Sequence, residues 1–347
     1  MKHSYPLSNL GWQTFFQQQL TLEEWDQCLV GRVSRQERSQ LDVLTSQGLQ
    51  VVPLNRHMPA LTVGDWIVLS QEGQFQRLLE RLSLFSRKAA GTAASIQLIA
   101  ANVDTVFIVC SLNQDFNLNR IERYLVLANQ AKVEPVVVLS KKDLCSNPDD
   151  SIEQASALDP LLSVLAVNSL DAGSVSQLEP WCGEGKTVAF LGSSGVGKST
   201  LINSLSGEPV QRTDAIRAGD DKGRHTTTGR SLHLMPSGGL LLDTPGMREI
   251  QLADCALGVG ETFSEITELA TQCRFVDCQH QGEPGCRVHQ AIQDGLLDER
   301  RLSSYRKLLK EQAFNEATLE ERRSRDRKLG RFYRSVLAGK RQLKKGS

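Results

Sequence analysis

The stretch Thr187–Leu201, TVAFLGSSGVGKSTL, decides how this chain folds. Val188-Ala189-Phe190-Leu191 is a short apolar run of the kind that forms a buried strand. It ends in Gly192-Ser193-Ser194-Gly195-Val196-Gly197-Lys198-Ser199, which fits the phosphate-cradling pattern G-x-x-x-x-G-K-[ST]. Thr200-Leu201-Ile202 then begins a helix. The glycines let the backbone wrap around a phosphate with its N–H groups pointing inward, and the helix N-terminus adds partial positive charge there. Lys198 has the reach for β- and γ-phosphates, and Ser199 and Thr200 continue the site, with the Ser199 hydroxyl suited to Mg²⁺. A chance Gly/Ser-rich turn is the bland reading, but the strand–loop–helix context argues against it.

Working outward, apolar strands are expected at 103–110, 136–139, 163–167, 187–191, 231–235 and 240–243, with helices at 119–131 and 175–181. That alternation predicts a doubly wound α/β domain over 96–250. Leu242-Asp243-Thr244-Pro245-Gly246 closes one of these strands. Asp243 there suits the Mg²⁺ shell, and the Gly246 N–H suits a γ-phosphate. Between this loop and Ser199 lies Gly223-Arg224-His225-Thr226-Thr227-Thr228, where a phosphate-sensing switch belongs; the Thr227 hydroxyl is a candidate Mg²⁺ ligand. Such a polar, Gly-rich segment is expected to order only around a γ-phosphate. Ser140-Lys141-Lys142-Asp143 resembles the N/T-K-x-D loop with which GTPases read guanine. A single carboxylate, Asp143, accepts from N1–H and the 2-amino group together, and serine stands at 140 in place of Asn or Thr. Asn168-Ser169 follows the next strand and suits backbone contact with the base. Asp143 speaks against a P-loop ATPase or kinase, the rival class.

Ahead of this domain, residues 1–30 carry Trp12, Phe15, Phe16 and Trp25 and read as a helical lead-in. Five short β-type runs follow between 31 and 82 (GRVSRQ, LDVLT, LQVVPL, VGDWIVL, FQRLLERL), which predicts a small β-barrel over 31–95, oligonucleotide-binding or SH3-like. Arg32, Arg35, Arg38, Arg56 and Arg87 in it are as compatible with solvated surface as with nucleic-acid contact. Residues 88–98, small and polar, read as a linker or mobile loop.

Beyond the nucleotide loops, Cys273-x4-Cys278-x-His280-x5-Cys286 supplies three thiolates and an imidazole, a set for closed tetrahedral zinc. No position is left open for metal catalysis. The other five cysteines read as isolated thiols. In the 347-residue chain, Lys+Arg and Asp+Glu balance at 40 each, yet residues 322–347 hold eleven Lys/Arg against one acid, Asp326. The tail is therefore +10 and the rest −10, which suits a polyanion partner or a solvated tail. No apolar run approaches the ~20 residues of a membrane span, and a cytoplasmic protein with no membrane partner is expected.

The loops also run in an unusual order: base-reading loops at 140–143 and 168–169 come before the phosphate loop at 192–199. The chain reads as a circularly permuted GTPase, since all these loops leave one edge of a parallel sheet whatever their order. Motif order, zinc spacing and the phrases NRIERYL, GRHTTT, DTPGMRE and CRFVDCQHQGEPGCRVHQAI together resemble the ribosome small-subunit-dependent GTPase (RsgA) family along nearly the whole chain. The resemblance implies an oligonucleotide-binding (OB) barrel, a permuted P-loop GTPase and a zinc-binding helical domain over 251–347. It implies a monomer that binds GTP/GDP, Mg²⁺ and one Zn²⁺. It also implies binding to the 30S subunit and 16S rRNA late in maturation, with GTP hydrolysis stimulated there. The alternative is a nucleotide-gated rRNA-binding scaffold in which hydrolysis only resets binding. Lys198, His225 and Thr227 are the expected catalytic residues; His225 would stand in for the water-orienting Gln, because Met247 occupies that position. The N-terminus lacks the Lys/Arg-rich extension of some members, so ribosome contact is expected to lean on the tail. Because Asp243–Gly246 runs directly into the C-terminal region, nucleotide state is expected to shift that region against the GTPase body.

Overall fold

The computed structural model describes residues 4–88, 96–113, 115–207, 230–243 and 255–316. Continuous apolar runs form its central strands, β8 (Thr105–Ser111), β9 (Glu134–Ser140), β10 (Ser163–Ala166), β11 (Thr187–Leu191) and β13 (Leu240–Asp243). In β8, Val106, Ile108 and Cys110 face one core while Phe107 and Val109 face another. Both faces are therefore buried, as parallel sheets require. The strands run parallel in the order β10-β9-β8-β11-β13, and β12 (Arg230–Leu234) closes that side antiparallel to β13. One face is covered by α6 (Lys198–Ser206), with Leu201 and Ile202, and by the turn at 172–181, which is α5 (Ala172–Val175) continued as a 3-10 helix. The expected α/β sheet is present.

The other face is covered by α3 (Leu118–Ala131), whose Asn117 side chain caps its first turn by accepting from the Arg120 N–H. Behind α3 lie α7 (Ala256–Thr262), α8 (Ser264–Ala270), α9 (Arg287–Gln293) and α10 (Glu299–Glu316). Val259, Phe263, Ile266, Val288 and Leu302 of this region share one core with Tyr124 and Ala128 of α3. Charge reinforces the contact. The buried Arg301 guanidinium bonds Glu122 Oε1 at 2.9 Å and Glu265 Oε1 at 2.6 Å, and donates to the Thr262 carbonyl at 2.6 Å. A fully paired buried cation of this kind defines one docking geometry more than it adds stability. Ala155 of α4 (Pro148–Ser156) and Leu158, just past its end, also join this core.

At the N-terminal end, short helices α1 (Thr14–Gln17) and α2 (Leu22–Gln27) precede five antiparallel strands: β1 (Cys28–Gln36), β2 (Gln40–Thr45), β3 (Gly48–Pro53), β4 (Trp66–Ser70) and β5 (Phe75–Leu78). They pair in the order β3-β2-β1-β4-β5 around Leu29, Val33, Leu41, Val43, Ile67 and Leu69. Three features depart from the sequence reading. First, the ends of 88–98 are strand: β6 (Leu84–Lys88) pairs antiparallel with β7 (Ile96–Ala101), while residues 89–95 of the expected linker lie outside the described residues. Second, β1 continues past its own unit and pairs with β12 at Arg35–Ser231 and Gln36–Arg230. Among the described residues, eleven strands thus form one continuous sheet through both units.

Third, Arg32 is not surface. It is 1% exposed, and its guanidinium donates to Leu10 O (2.6 Å), Asn102 O (2.7 Å) and Thr187 Oγ1 (2.8 Å), above the Trp66 ring. Those groups belong to the lead-in, the segment after β7 and the first residue of β11. Burial pulls Arg32 down to about 10, opposed by Asp104 and Asp65, so it stays charged at neutral pH. Arg32→Ala leaves several carbonyls unpaired and is expected to lower unfolding stability by about 3 kcal/mol. Urea unfolding measures it; Arg32→Lys is expected to recover only part, since an ammonium lacks the planar fork.

Candidate nucleotide and metal sites

The C-terminal ends of β8, β9, β10, β11 and β13 lie on one edge of the sheet. From β11 the chain turns at Gly192, whose φ is 142° and whose added Cβ would stand 2.4 Å from the Val109 carbonyl. Gly195 and Gly197 also have positive φ, 80° and 95°. Only glycine follows this path so close to β8, which is why the spacing of glycines was informative. Val196 is buried against the core, while Ser193, Ser194 and Gly195 form the rim of the loop. Lys198 opens α6 and is 5% exposed; its Nζ donates to the Gly192 carbonyl at 2.7 Å and to the Ser193 carbonyl. The ammonium is thus folded into the loop it would share with phosphate oxygens. Ser199 and Thr200 follow in the first turn of α6.

The loop at 140–143 meets the phosphate loop directly. Ser140, fully buried at the end of β9, donates its hydroxyl to the Val196 carbonyl at 2.5 Å. Gly197 packs on both Ser140 and Ser169, whose hydroxyls lie 3.7 and 3.6 Å from where its Cβ would be. The short serine therefore does reach the phosphate loop. Lys141 has φ 60°, which swings the chain so that the Lys142 N–H bonds the Val167 carbonyl (3.2 Å), joining 140–143 to 168–169. Lys142 and Asp143 are exposed at this rim. The Ser169 carbonyl accepts from Ser204 at 3.0 Å, tying the 168–169 loop to α6.

Asp243 ends β13, directly opposite Ser231 of β12. Ser231 Oγ and His233 Nε2 are 2.7 Å apart. Burial holds His233 below its ordinary value, opposed by Asp243 and reinforced by Arg35. His225, Thr227, Gly246, Met247 and the basic tail 322–347 lie outside the described residues.

The second cluster lies beyond α8. Sγ of Cys273, Cys278 and Cys286 and a ring nitrogen of His280 all fall within 4.8 Å of one another. Cys273 Sγ is 3.9 Å from Cys286 Sγ, and His280 Nδ1 is 3.7 and 3.5 Å from those two sulfurs. A tetrahedron with Zn–S bonds of about 2.3 Å has edges of about 3.8 Å, so the donor set is compatible with one zinc ion. His280 takes φ 54° to turn inward, and Glu283 accepts the Gln279 and Gln281 N–H groups at 3.0 and 2.6 Å, which closes the ligand loop.

Residues 78–253 match the RsgA GTPase family. The chain is 58% identical to the small ribosomal subunit biogenesis GTPase RsgA 2 of Vibrio parahaemolyticus, over 98% of this chain and 95% of that protein. The chain belongs to the RsgA GTPase family. It is also 44% identical to the small ribosomal subunit biogenesis GTPase RsgA of Mesorhizobium japonicum, over 89% of this chain and 90% of that protein. The crystal structure of YjeQ from Thermotoga maritima is similar with a TM-score of 0.62 at 25% identity, over 82% of this chain and 98% of that one. YloQ, described as a circularly permuted GTPase, matches in fold with a TM-score of 0.61 at 24% identity, over 84% of this chain and 96% of that one.

This RsgA-family chain is a GTPase and hydrolyses GTP, and its loop order is the permuted one. The family implies GTP/GDP and Mg²⁺. The cradle between Gly192 and Lys198 fits them, with a lysine poised on loop carbonyls and no room for a Cβ at its base.

Sequence reasoning missed the staple from Ser140 to Val196 and the role of Arg301, because both depend on pairs far apart in the chain. Gly192→Ala is expected to abolish binding of fluorescent GDP, because the added methyl meets Val109. Ser140→Ala removes one hydrogen bond worth about 1 kcal/mol and is expected to weaken GDP affinity about fivefold. Fluorescence titration checks both.

Proposed function

We propose that this GTPase acts in biogenesis of the small ribosomal subunit, binding 30S particles and 16S rRNA late in maturation and hydrolysing GTP with stimulation by the particle. The observation that carries this reading is the near full-length likeness to proteins named for that process. Basic surface supports it. Arg274, Arg287 and His289 line a cavity of about 580 Å³ beside the Cys/His cluster. His289 also lines a second cavity, of about 300 Å³, with Arg306, Lys307 and Lys310 of α10. Together with the +10 tail, these suit a phosphate backbone.

The proposed units are a helical lead-in (1–30), an OB-type barrel (31–95), the permuted GTPase (96–250) and a zinc-binding domain with its tail (251–347), in a monomeric, cytoplasmic protein. The strand order β3-β2-β1-β4-β5 supports the OB reading. Asp143 reads guanine, with Lys141 and Lys142 beside the base and Ser140 and Ser169 backing it. Gly192 to Gly197 bind phosphates through backbone N–H groups. Lys198 neutralises charge that develops on the transferring phosphoryl group, the largest contribution expected in such reactions. Ser199 and Thr227 hold Mg²⁺, Asp243 serves its outer shell, and Gly246 meets the γ-phosphate. His225 orients the attacking water once rRNA orders it. One zinc ion, held by Cys273, Cys278, His280 and Cys286, serves structure. Because α7–α10 share a core with α3, a nucleotide-dependent shift of the zinc domain must carry α3 along or break the Arg301–Glu122 pair.

GTP hydrolysis by the purified chain is expected to be slow and to rise steeply on adding 30S particles. Lys198→Ala is expected to abolish both rates, and His225→Ala to abolish the stimulated rate alone. A phosphate-release assay tests this; no stimulation by 30S would overturn the reading. Particle release that is equally fast with GTP and a non-hydrolysable analogue would instead mark a scaffold. Stripping zinc with a chelator is expected to lower Tm, measured by calorimetry, with little effect on GDP binding.

A further inference from the structure

β12 separates the nucleotide edge from the barrel, and its first residues touch both. Arg230 Nη1 donates to the Leu98 carbonyl of the β6–β7 hairpin at 2.5 Å and to Thr62 Oγ1 of the barrel at 3.5 Å. The next residue, Ser231, pairs on one side with Arg35 of β1 and on the other with Asp243 of β13. Directly opposed side chains in an antiparallel ladder are neighbours on one face, about 5 Å apart at Cβ. Alternation puts Ser231, His233 and Asp243 on the face that carries Leu241 and Met235, which pack with Leu201 and Ile202 of α6. That is the helix that starts at Lys198. Ser231 is 9% exposed, and its hydroxyl is fixed by His233 Nε2 at 2.7 Å.

We propose that Ser231 and His233 are positioning residues for Asp243, and that the barrel, through β1 and Arg230, holds the strand on which they sit. The imidazole stops the hydroxyl from rotating, and the fixed polar pair limits the orientations of the carboxylate across the ladder. Groups that orient a carboxylate in this way tune metal affinity without touching the metal. The N-terminal unit then contributes to Mg²⁺ handling at the GTPase site. The inference rests on Asp243 serving the Mg²⁺ shell.

The test uses the full-length chain carrying Asp243→Asn, His233→Leu or His233→Gln. GTP turnover is followed against Mg²⁺ concentration, and fluorescent GDP binding is measured in EDTA. Asp243→Asn and His233→Leu are expected to raise the Mg²⁺ needed for half-maximal turnover about tenfold. His233→Gln, which keeps a polar group near the Nε2 position, is expected to restore most of it. GDP binding in EDTA is expected to stay unchanged for the His233 variants. Should His233→Leu not fold, Ser231→Ala removes a single atom and is expected to give the same shift. A normal Mg²⁺ response in the folded His233 or Ser231 variant, with Asp243→Asn shifted, overturns the inference alone. An unshifted Asp243→Asn overturns the Mg²⁺ role of Asp243 and the inference with it. Lost GDP binding in EDTA for His233→Leu would mark a purely structural residue and also overturn it.

Discussion

Parallel pairing is the constraint on which the rest depends. Five strands, β10 to β13 through β9, β8 and β11, all end on the same edge. Whatever loop follows each strand therefore arrives at one place. Chain order becomes irrelevant to the site, and a GTPase can present its base-reading loops first and its phosphate loop later. Two contacts then close the separate loops into one surface. The buried Ser140 hydroxyl holds Val196, and the Ser169 carbonyl accepts from Ser204. Both are backbone-directed, so they fix distances between loops without consuming the groups that face a ligand.

What permutation changes is the chain's exit from the domain. Asp243 no longer leads into further strands of the sheet but into the C-terminal helices. These do not hang loosely: Val259, Phe263 and Ile266 complete the core on α3, and Arg301 bridges Glu122 and Glu265. On the opposite side, the N-terminal unit of β1–β5 is joined by shared sheet and by Arg32, whose guanidinium collects acceptors from four separate segments. A buried arginine is stable there because nearly every donor has an oxygen. The GTPase unit is thus held from both flanks, by hydrogen bonds on one and by apolar packing with ion pairs on the other.

Local rules account for much of what was legible. Glycines at 192, 195 and 197 mark positive φ, and Lys198 marks the start of α6. The continuous apolar run in β8 marks a strand buried on both faces. The spacing of Cys273, Cys278, His280 and Cys286 brings four donors together because one short loop spans them. Arg32 was misread because a lone arginine in a strand has the same local signature whether it meets water or a ring of carbonyls. The β6–β7 hairpin was missed because Lys88 and Ile96 flank a small, polar stretch that looks like linker, while the pairing itself is non-local.

The sequence by itself determined the central strands, the glycine-rich loop ahead of α6, the clustered Cys/His donors and the permuted order, because each is written in neighbouring residues through backbone conformation or side-chain chemistry. Only the tertiary structure decided that β1 joins β12, that Ser140 reaches the phosphate loop, that Arg32 is interior and that Arg301 locks α10 to α3. Those pairs are separated by dozens to hundreds of residues, and their energies come from mutual burial and hydrogen-bond completion, which exist only once the distant partners have met.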